Sequence, residues 1–151
     1  IWAGKMALAS QATAEHTQFK AKGQQIFFTC KRPQLFGLVD EQYIEIALAN
    51  IIDNASKYSF EKTTTHVSLV RSGSYAHIAV KDNGVGIKTA DLSKLFRKFS
   101  RLDNSLTARV GGSGLGLYWT HKIIKLHRGR VEVRSRPGRG TTFHLYLPLA
   151  R

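Results

Sequence analysis

The chain has 151 residues, 42% of them hydrophobic and 22% charged. That fits one globular domain, with enough length to bury about two-thirds of the unfolded surface and no need of a covalent staple. Cys30 is the only cysteine, which excludes a disulfide framework and a cysteine-rich zinc site. No apolar run reaches the ~18 residues of a membrane span. The chain opens on Ile1 with no apolar signal core behind it, so the expectation is a segment of a longer, cytoplasmic protein. Lys and Arg number 23 against 10 Asp and Glu, a net charge of +13. From Trp119 onward eight bases face the single acid Glu132. Such a surplus favours anionic partners: nucleotide phosphates, nucleic acid, an acidic protein face or an anionic membrane.

In chain order, residues 7–21 contain few helix breakers and predict a helix with Leu8 and Phe19 inward, stopped at Gly23. Gln25-Ile26-Phe27-Phe28-Thr29-Cys30 is a short β-prone run, with Cys30 expected as a small buried residue. Pro33 and Gly37 mark an irregular connection. Asp40 can cap a helix reaching about Tyr58. Within it Ile44, Leu48, Ile51 and Ala55 form one apolar stripe, and Asn50, Asn54 and Lys57 form a polar one roughly opposite. Alternation at Val67 and Leu69, a turn at Arg71-Ser72-Gly73-Ser74, and alternation at Ala76, Ile78 and Val80 predict a hairpin ending at Asp82. Residues 88–112 are polar, basic and glycine-terminated around an apolar knot at Leu95, Phe96 and Phe99. This predicts a long loop carrying a short helix, and such loops are usually functional. A second amphipathic helix over residues 114–127, stopped near Gly129, precedes strands at 130–135 and 141–147. Strand pairs separated by single helices predict an α+β, two-layer sandwich: a mixed sheet covered on one face by helices, in a single domain ordered over about residues 7–149.

Three clusters carry chemistry. Asp82-Asn83-Gly84-Val85-Gly86 combines a carboxylate acceptor with glycines that let backbone approach a flat ligand, although a plain strand-ending turn has the same composition. Gly111-Gly112-Ser113-Gly114-Leu115-Gly116-Leu117 opens a helix and exposes amides where the dipole favours an anion. It is neither a P-loop, lacking Gly-Lys-Ser/Thr, nor a Rossmann fingerprint, lacking a strand immediately before it. Asn50 and Asn54 carry oxygens suited to a hard cation or a phosphate network, Lys57 a compact charge, and Tyr58 a ring able to stack on a base. A solvated polar helix face is the commoner explanation for any amide pair taken alone.

Their order and spacing are more specific than any one of them. Asn50-Ile51-Ile52-Asp53-Asn54-Ala55-Ser56-Lys57-Tyr58-Ser59, Asp82-Asn83-Gly84-Val85-Gly86-Ile87, Phe96-Arg97-Lys98-Phe99 and Gly112-Ser113-Gly114-Leu115-Gly116-Leu117 resemble, in register, the N box, first glycine box, F box and second glycine box of sensor histidine kinase catalytic domains. The likeness extends to the closing Gly140-Thr141-Thr142-Phe143. It implies a Bergerat-type nucleotide fold, shared with gyrase, mismatch-repair and chaperone ATPases, with ATP as substrate and Mg2+ as cofactor. By that resemblance Asn50 coordinates magnesium, Asn54 and Lys57 serve the phosphates, and Tyr58 lies against adenine. Asp82 accepts from the adenine amine, and Gly84, Gly86 and Ile87 shape the pocket. Residues 88–112 form an ATP lid anchored by Phe96 and Phe99, with Phe99 also expected at the nucleotide. Arg101, in the Phe-x-Arg pattern, reaches the γ-phosphate, while Gly112, Ser113, Gly114, Leu115 and Gly116 wrap the phosphates. Asn50, Lys57 and Arg101 are thus the expected catalytic residues.

Two departures shape the functional expectation. Where the wider superfamily's ATPases place a water-activating Glu, four residues before the N-box Asn, this chain has Ile46, and the adjacent Glu45 points elsewhere on the helix. Slow hydrolysis and a histidine acceptor follow. None of His16, His66, His77, His121, His127 or His144 stands in the family's phosphoacceptor context, so the chain alone is not expected to phosphorylate itself. The implied partners are the dimerisation and phosphoacceptor histidine domain and a response regulator receiver. A monomer without membrane contact is expected, and nucleic acid is not. The cluster from Lys122 to Arg139 reads as a solvated face or a docking surface for an acidic receiver. Alternatives are a serine kinase or ATPase gate of the same superfamily, or an ATP-binding module with a regulatory or protein- or nucleic-acid-binding role and no kinase activity.

Overall fold

A computed structural model describes residues 2–3, 16–31, 35–102, 106 and 111–150. The elements in chain order are β1 (Trp2–Ala3), α1 (His16–Ala21), β2 (Gln25–Cys30), β3 (Phe36–Gly37), α2 (Glu41–Lys57), β4 (Thr64–Ser72), β5 (Tyr75–Lys81), α3 (Thr89–Leu92), α4 (Gly116–Leu126), β6 (Arg130–Arg136) and β7 (Gly140–Pro148). Five strands form one mixed sheet in the order β2-β4-β5-β7-β6, with β2 parallel to β4 and the other pairs antiparallel. β1 and β3 pair antiparallel in a separate two-stranded sheet. The expected α+β sandwich is what forms. Of the helix expected at 7–21 the described part is His16–Ala21, and Leu8 lies outside the described residues.

α2 is the long helix that the apolar stripe demanded. The Asp40 carboxylate accepts from the Tyr43 amide at its N-terminus, and Ile44, Leu48, Ile51 and Ala55 are all buried, joined by Ala47 and Ile52. Each buried Leu or Ile contributes about 1.5–3 kcal/mol. Beneath them the alternate residues Val67 and Leu69 of β4, Ala76, Ile78 and Val80 of β5, and Phe143, Leu145 and Leu147 of β7 complete the core. α4 packs alongside α2, where the Thr120 hydroxyl donates to the Ala47 carbonyl. Phe19 of α1 is buried in the same core, and Cys30 is half-buried against it.

One connection differs from expectation, and one helix stop, found near Gly129 as expected, has a different residue in the left-handed position. Residues 36–37 form β3 rather than an irregular connection, because they pair antiparallel with Trp2–Ala3, and Ala150 also donates to the Phe36 carbonyl. α4 closes with Arg128 in the left-handed conformation, φ 59°, and with the Gly129 amide bonded to the Ile124 carbonyl. Gly129 is required by packing instead: a Cβ there would run into the Tyr146 carbonyl oxygen. Among the described residues no helix is long and apolar enough to cross a membrane.

Candidate functional site

An open cavity of about 250 Å3 is lined by residues of α2, the loop after β5, the segment after α3, the loop into α4 and β7. Along one wall α2 presents Asn50, Asp53, Asn54, Lys57 and Tyr58. The Asn50 Nδ2 donates to the Gly116 carbonyl at 3.1 Å, joining this wall to the start of α4. Gly116 packs on the Asn50 side chain at that approach, where a Cβ would make an ordinary contact of 3.5 Å. Lys57 Nζ is held by Asp53 Oδ2 at 2.6 Å, one turn back on the same helix.

Asp82 forms the floor. Its backbone continues the β5–β7 ladder, with its amide on the Thr141 carbonyl. Its Oδ1 accepts from the Gly84 amide at 2.9 Å and the Thr141 amide at 3.0 Å. Both bonds fall on one oxygen, and no described residue donates to Oδ2. The side chain is 5% exposed, and burial pushes its pKa up to about 6, against the pull of the two backbone donors. The loop around it is interlocked by glycines. A Cβ on Gly84 would strike the Tyr58 carbonyl oxygen, one on Gly86 the Arg136 carbonyl, and one on Gly140 the Asp82 carbonyl; Gly86 and Gly140 also have φ of 71° and 85°. The Ile87 amide donates to Ser135 Oγ at 2.8 Å, which fixes the exit of this loop.

The opposite wall is the second glycine loop. Gly112, Ser113, Gly114 and Gly116 line the cavity, and the Leu115 amide donates to Ser113 Oγ at 3.3 Å. Gly114, at φ 72°, lies against the backbone of Phe99 and Ser100, where a Cβ would meet Phe99 Cα at 2.8 Å. From the segment after α3, buried Leu95 and then Ser100, Arg101 and Leu102 reach the cavity. This segment rests on α4: Phe96 stacks on His121 with centroids 4.9 Å apart, and Lys98 Nζ sits 5.1 Å over the Tyr118 ring. Residues 103–105 and 107–110 of the expected lid lie outside the described residues.

Asn50, Asn54, Lys57, Tyr58, Asp82, Gly86, Ile87, Arg101, Gly112, Ser113, Gly114 and Gly116 all meet at this one cavity. Gly84, Leu115 and Phe99 are not among its lining. Gly84 acts through its amide on Asp82, and Leu115 is the residue before α4. Phe99 is 70% exposed with φ 59°, so it does not anchor the segment; Phe96 does. Sequence reasoning missed Thr141 and Phe143, although it quoted both among the closing residues, and also Asp53, Val85 and Leu117. Thr141 is signalled only by the register of β5 on β7, which places Lys81 opposite Thr142 and so brings Asp82 to the Thr141 backbone. Among the described residues, Ile46 and the histidines are absent from the lining. The described residues hold no cluster of three His, Cys, Asp or Glu fit for a metal.

Residues 39–151 match the family of histidine kinase-, DNA gyrase B- and HSP90-like ATPases. The chain belongs to this family. Among its relatives it is 34% identical over 142 residues to the sensor-like histidine kinase SenX3 of Mycolicibacterium smegmatis, 93% of this chain and 37% of that protein. It is 36% identical over 131 residues to the sensor histidine kinase WalK of Bacillus subtilis, 84% of this chain and 21% of WalK. With the circadian input-output histidine kinase CikA of Synechococcus elongatus the identity is 35% over 72% of this chain and 14% of CikA. The chain thus spans well under half the length of each. Its fold is similar to that of the nucleotide-free catalytic domain of the histidine kinase ThkA, TM-score 0.84 at 20% identity, over 97% of this chain and 93% of that one. The mycobacterial sensor histidine kinase MprB superposes with TM-score 0.80 at 23% identity, over 96% and 93%. As a member of this ATPase family, the chain is a nucleotide-binding domain on a kinase-type scaffold.

Proposed function

We propose that this chain is the ATP-binding catalytic domain of a two-component histidine kinase. It passes the γ-phosphoryl group of ATP to a histidine on a dimerisation and phosphoacceptor domain, for relay to an aspartate of a response regulator. The observation that carries the reading is Asp82. A buried carboxylate with both structural hydrogen bonds on Oδ1 leaves Oδ2 for an exocyclic amine, on a floor where glycines admit a flat ring. The phosphates then extend between Asn50, Asn54 and Lys57 on one side and the second glycine loop on the other, with Arg101 at the mouth. Residues 88–112 serve as the lid, anchored through Leu95 and Phe96.

Magnesium fits this wall. Asn50 is oriented by its bond to Gly116, and its Oδ1 accepts no hydrogen bond from the described residues, leaving a hard oxygen of the type Mg2+ takes. That ion keeps several waters and shares its sphere with substrate phosphates, so one or two protein oxygens suffice, and it would neutralise charge between the phosphates. Phosphoryl transfer asks the protein mainly for positioning and charge neutralisation, which Lys57, Arg101 and the α4 N-terminus supply. The absence of histidine from the cavity lining among the described residues, and of a carboxylate at position 46, supports transfer to an external acceptor over hydrolysis. A cytoplasmic location is part of the same proposal, supported by the need for a supply of ATP. The test is incubation of the chain with γ-labelled ATP, Mg2+ and a supplied phosphoacceptor domain. Acid-labile label on that domain's histidine, absent with Asn50→Ala, is expected. Label nowhere, or release of free phosphate alone, would contradict the kinase reading.

A further inference from the structure

The residues at the end of α2 that face the nucleotide site are held by two side chains from a part of the molecule that does not touch it. A helix leaves its last carbonyls without intrahelical partners, and at a buried end these must be met by other donors. Here the donors come from the turn after α1. Lys22 Nζ donates to the carbonyls of Ser56 and Ser59, both at 2.7 Å. Gln24 Nε2 lies 3.2 Å from the same two carbonyls and 3.0 Å from that of Phe60, while its Oε1 accepts from Ser56 Oγ at 2.7 Å. Gln24 is 6% exposed and Ser56 fully buried, so water does not replace these bonds. Burial also pulls the Lys22 pKa below its ordinary value, partly offset by Glu61.

The bonded carbonyls bracket Lys57 and Tyr58, which line the cavity. Between them the Tyr58 carbonyl accepts from the Val85 amide at 3.0 Å, and Gly84 packs against the same oxygen. One side of this short segment is therefore fastened to Lys22 and Gln24, and the other to the loop that carries Asp82. The fastening has its own rigid base. Gly23, at φ 63°, closes α1 with its amide on the Lys20 carbonyl and the Gln24 amide on that of Phe19, whose ring is buried in the core.

We infer that Lys22 and Gln24 are positioning residues for the nucleotide site, which couple the placement of α1 to the placement of Lys57, Tyr58 and the Asp82 loop. The inference rests on the nucleotide reading above and adds a second point of control over that site. Neither residue lines the cavity, so each acts only through the end of α2. Coupling of this kind is reciprocal: a nucleotide in the cavity tightens the clamp, and a displaced α1 loosens the nucleotide.

The test uses the 151-residue chain with ADP titrated by calorimetry and amide resonances recorded by NMR. Lys22→Met keeps the aliphatic stem and removes the donors, and is expected to weaken ADP about tenfold, within the usual range of coupling between sites. The Tyr58 and Val85 amide resonances should move in the same variant, and Lys22→Arg should restore both readouts. Gln24→Glu, which exchanges the donating amide for an acceptor, should act in the same direction. Leu147→Val, in the core at the far end of β7, serves as a control that lowers the melting temperature without changing affinity. Slower exchange of the Ser59 and Gln24 amides on adding ADP is the reciprocal signature. Folded Lys22→Met with wild-type affinity and unmoved Tyr58 and Val85 amides would overturn the inference, and it decides alone if Gln24→Glu does not fold. Failure of the wild-type chain to bind ADP would overturn the nucleotide reading as well, so the two failures are told apart by the wild-type titration.

Discussion

Asp82 is kept at the cavity floor at a cost to stability. Raising a buried carboxyl from 3.8 to about 6 costs the ionised native state about 3 kcal/mol. Because the folded value lies above the unfolded one, the penalty is absent below pH 4 and grows as pH rises to about 6. Asp82→Asn keeps an oxygen for the Gly84 and Thr141 amides and removes the charge. Its melting temperature should therefore match wild type in acid and exceed it by several degrees above pH 6, as scanning calorimetry across pH would show. On the proposed role of Asp82 as acceptor for the adenine amine, nucleotide affinity runs the other way: wild-type affinity should fall as pH drops through about 6. Lys57 is a separate case. Its pair with Asp53 is partly exposed and worth only about 0–1 kcal/mol, so Lys57→Met should leave the melting temperature nearly unchanged. It should weaken the triphosphate more than adenosine in parallel titrations.

At the level of elements, the segment after α3 depends on what it stacks against. Phe96 lies half-buried on His121, and Phe96→Ala should cost about 1–3 kcal/mol in chemical denaturation. Phe99 is exposed, and Phe99→Ala should stay within about 0.5 kcal/mol. The motif Phe-x-x-Phe treats the two alike, and only the packing of the segment on α4 separates them. The same limit explains what was legible in the sequence. α2 could be read because a 3.6-residue period, a capping Asp and a polar stripe agree over 17 residues, and that stripe carried most of one wall. β5 and β7 were legible as alternations, but not the register between them, which is a long-range property and is what brings the Thr141 amide to Asp82. β3 was missed because two residues cannot show a period, and their pairing depends on chain termini far away in sequence. The clamp of Lys22 and Gln24 was equally hidden, since a Lys and a Gln after a helix stop look like any solvated turn.

For the whole molecule, a net charge of +13 on 151 residues is a field that draws in polyanions and raises the encounter rate with a nucleotide. That field says nothing about adenine, so charge alone would serve any phosphate. The adenine-specific part of the account is a single carboxylate at the junction of α2, β5 and β7, and the membership of the ATPase family agrees with it. The most direct test is calorimetric titration of the chain with ADP and a non-hydrolysable ATP analogue, with and without magnesium, beside Asp82→Asn. The account predicts one saturable site in the wild type, strengthened by magnesium for the triphosphate and weakened at least about tenfold in Asp82→Asn, the loss expected for a hydrogen bond to a charged group. A folded wild-type chain that binds neither nucleotide, or an Asp82→Asn chain that binds as tightly, would contradict it.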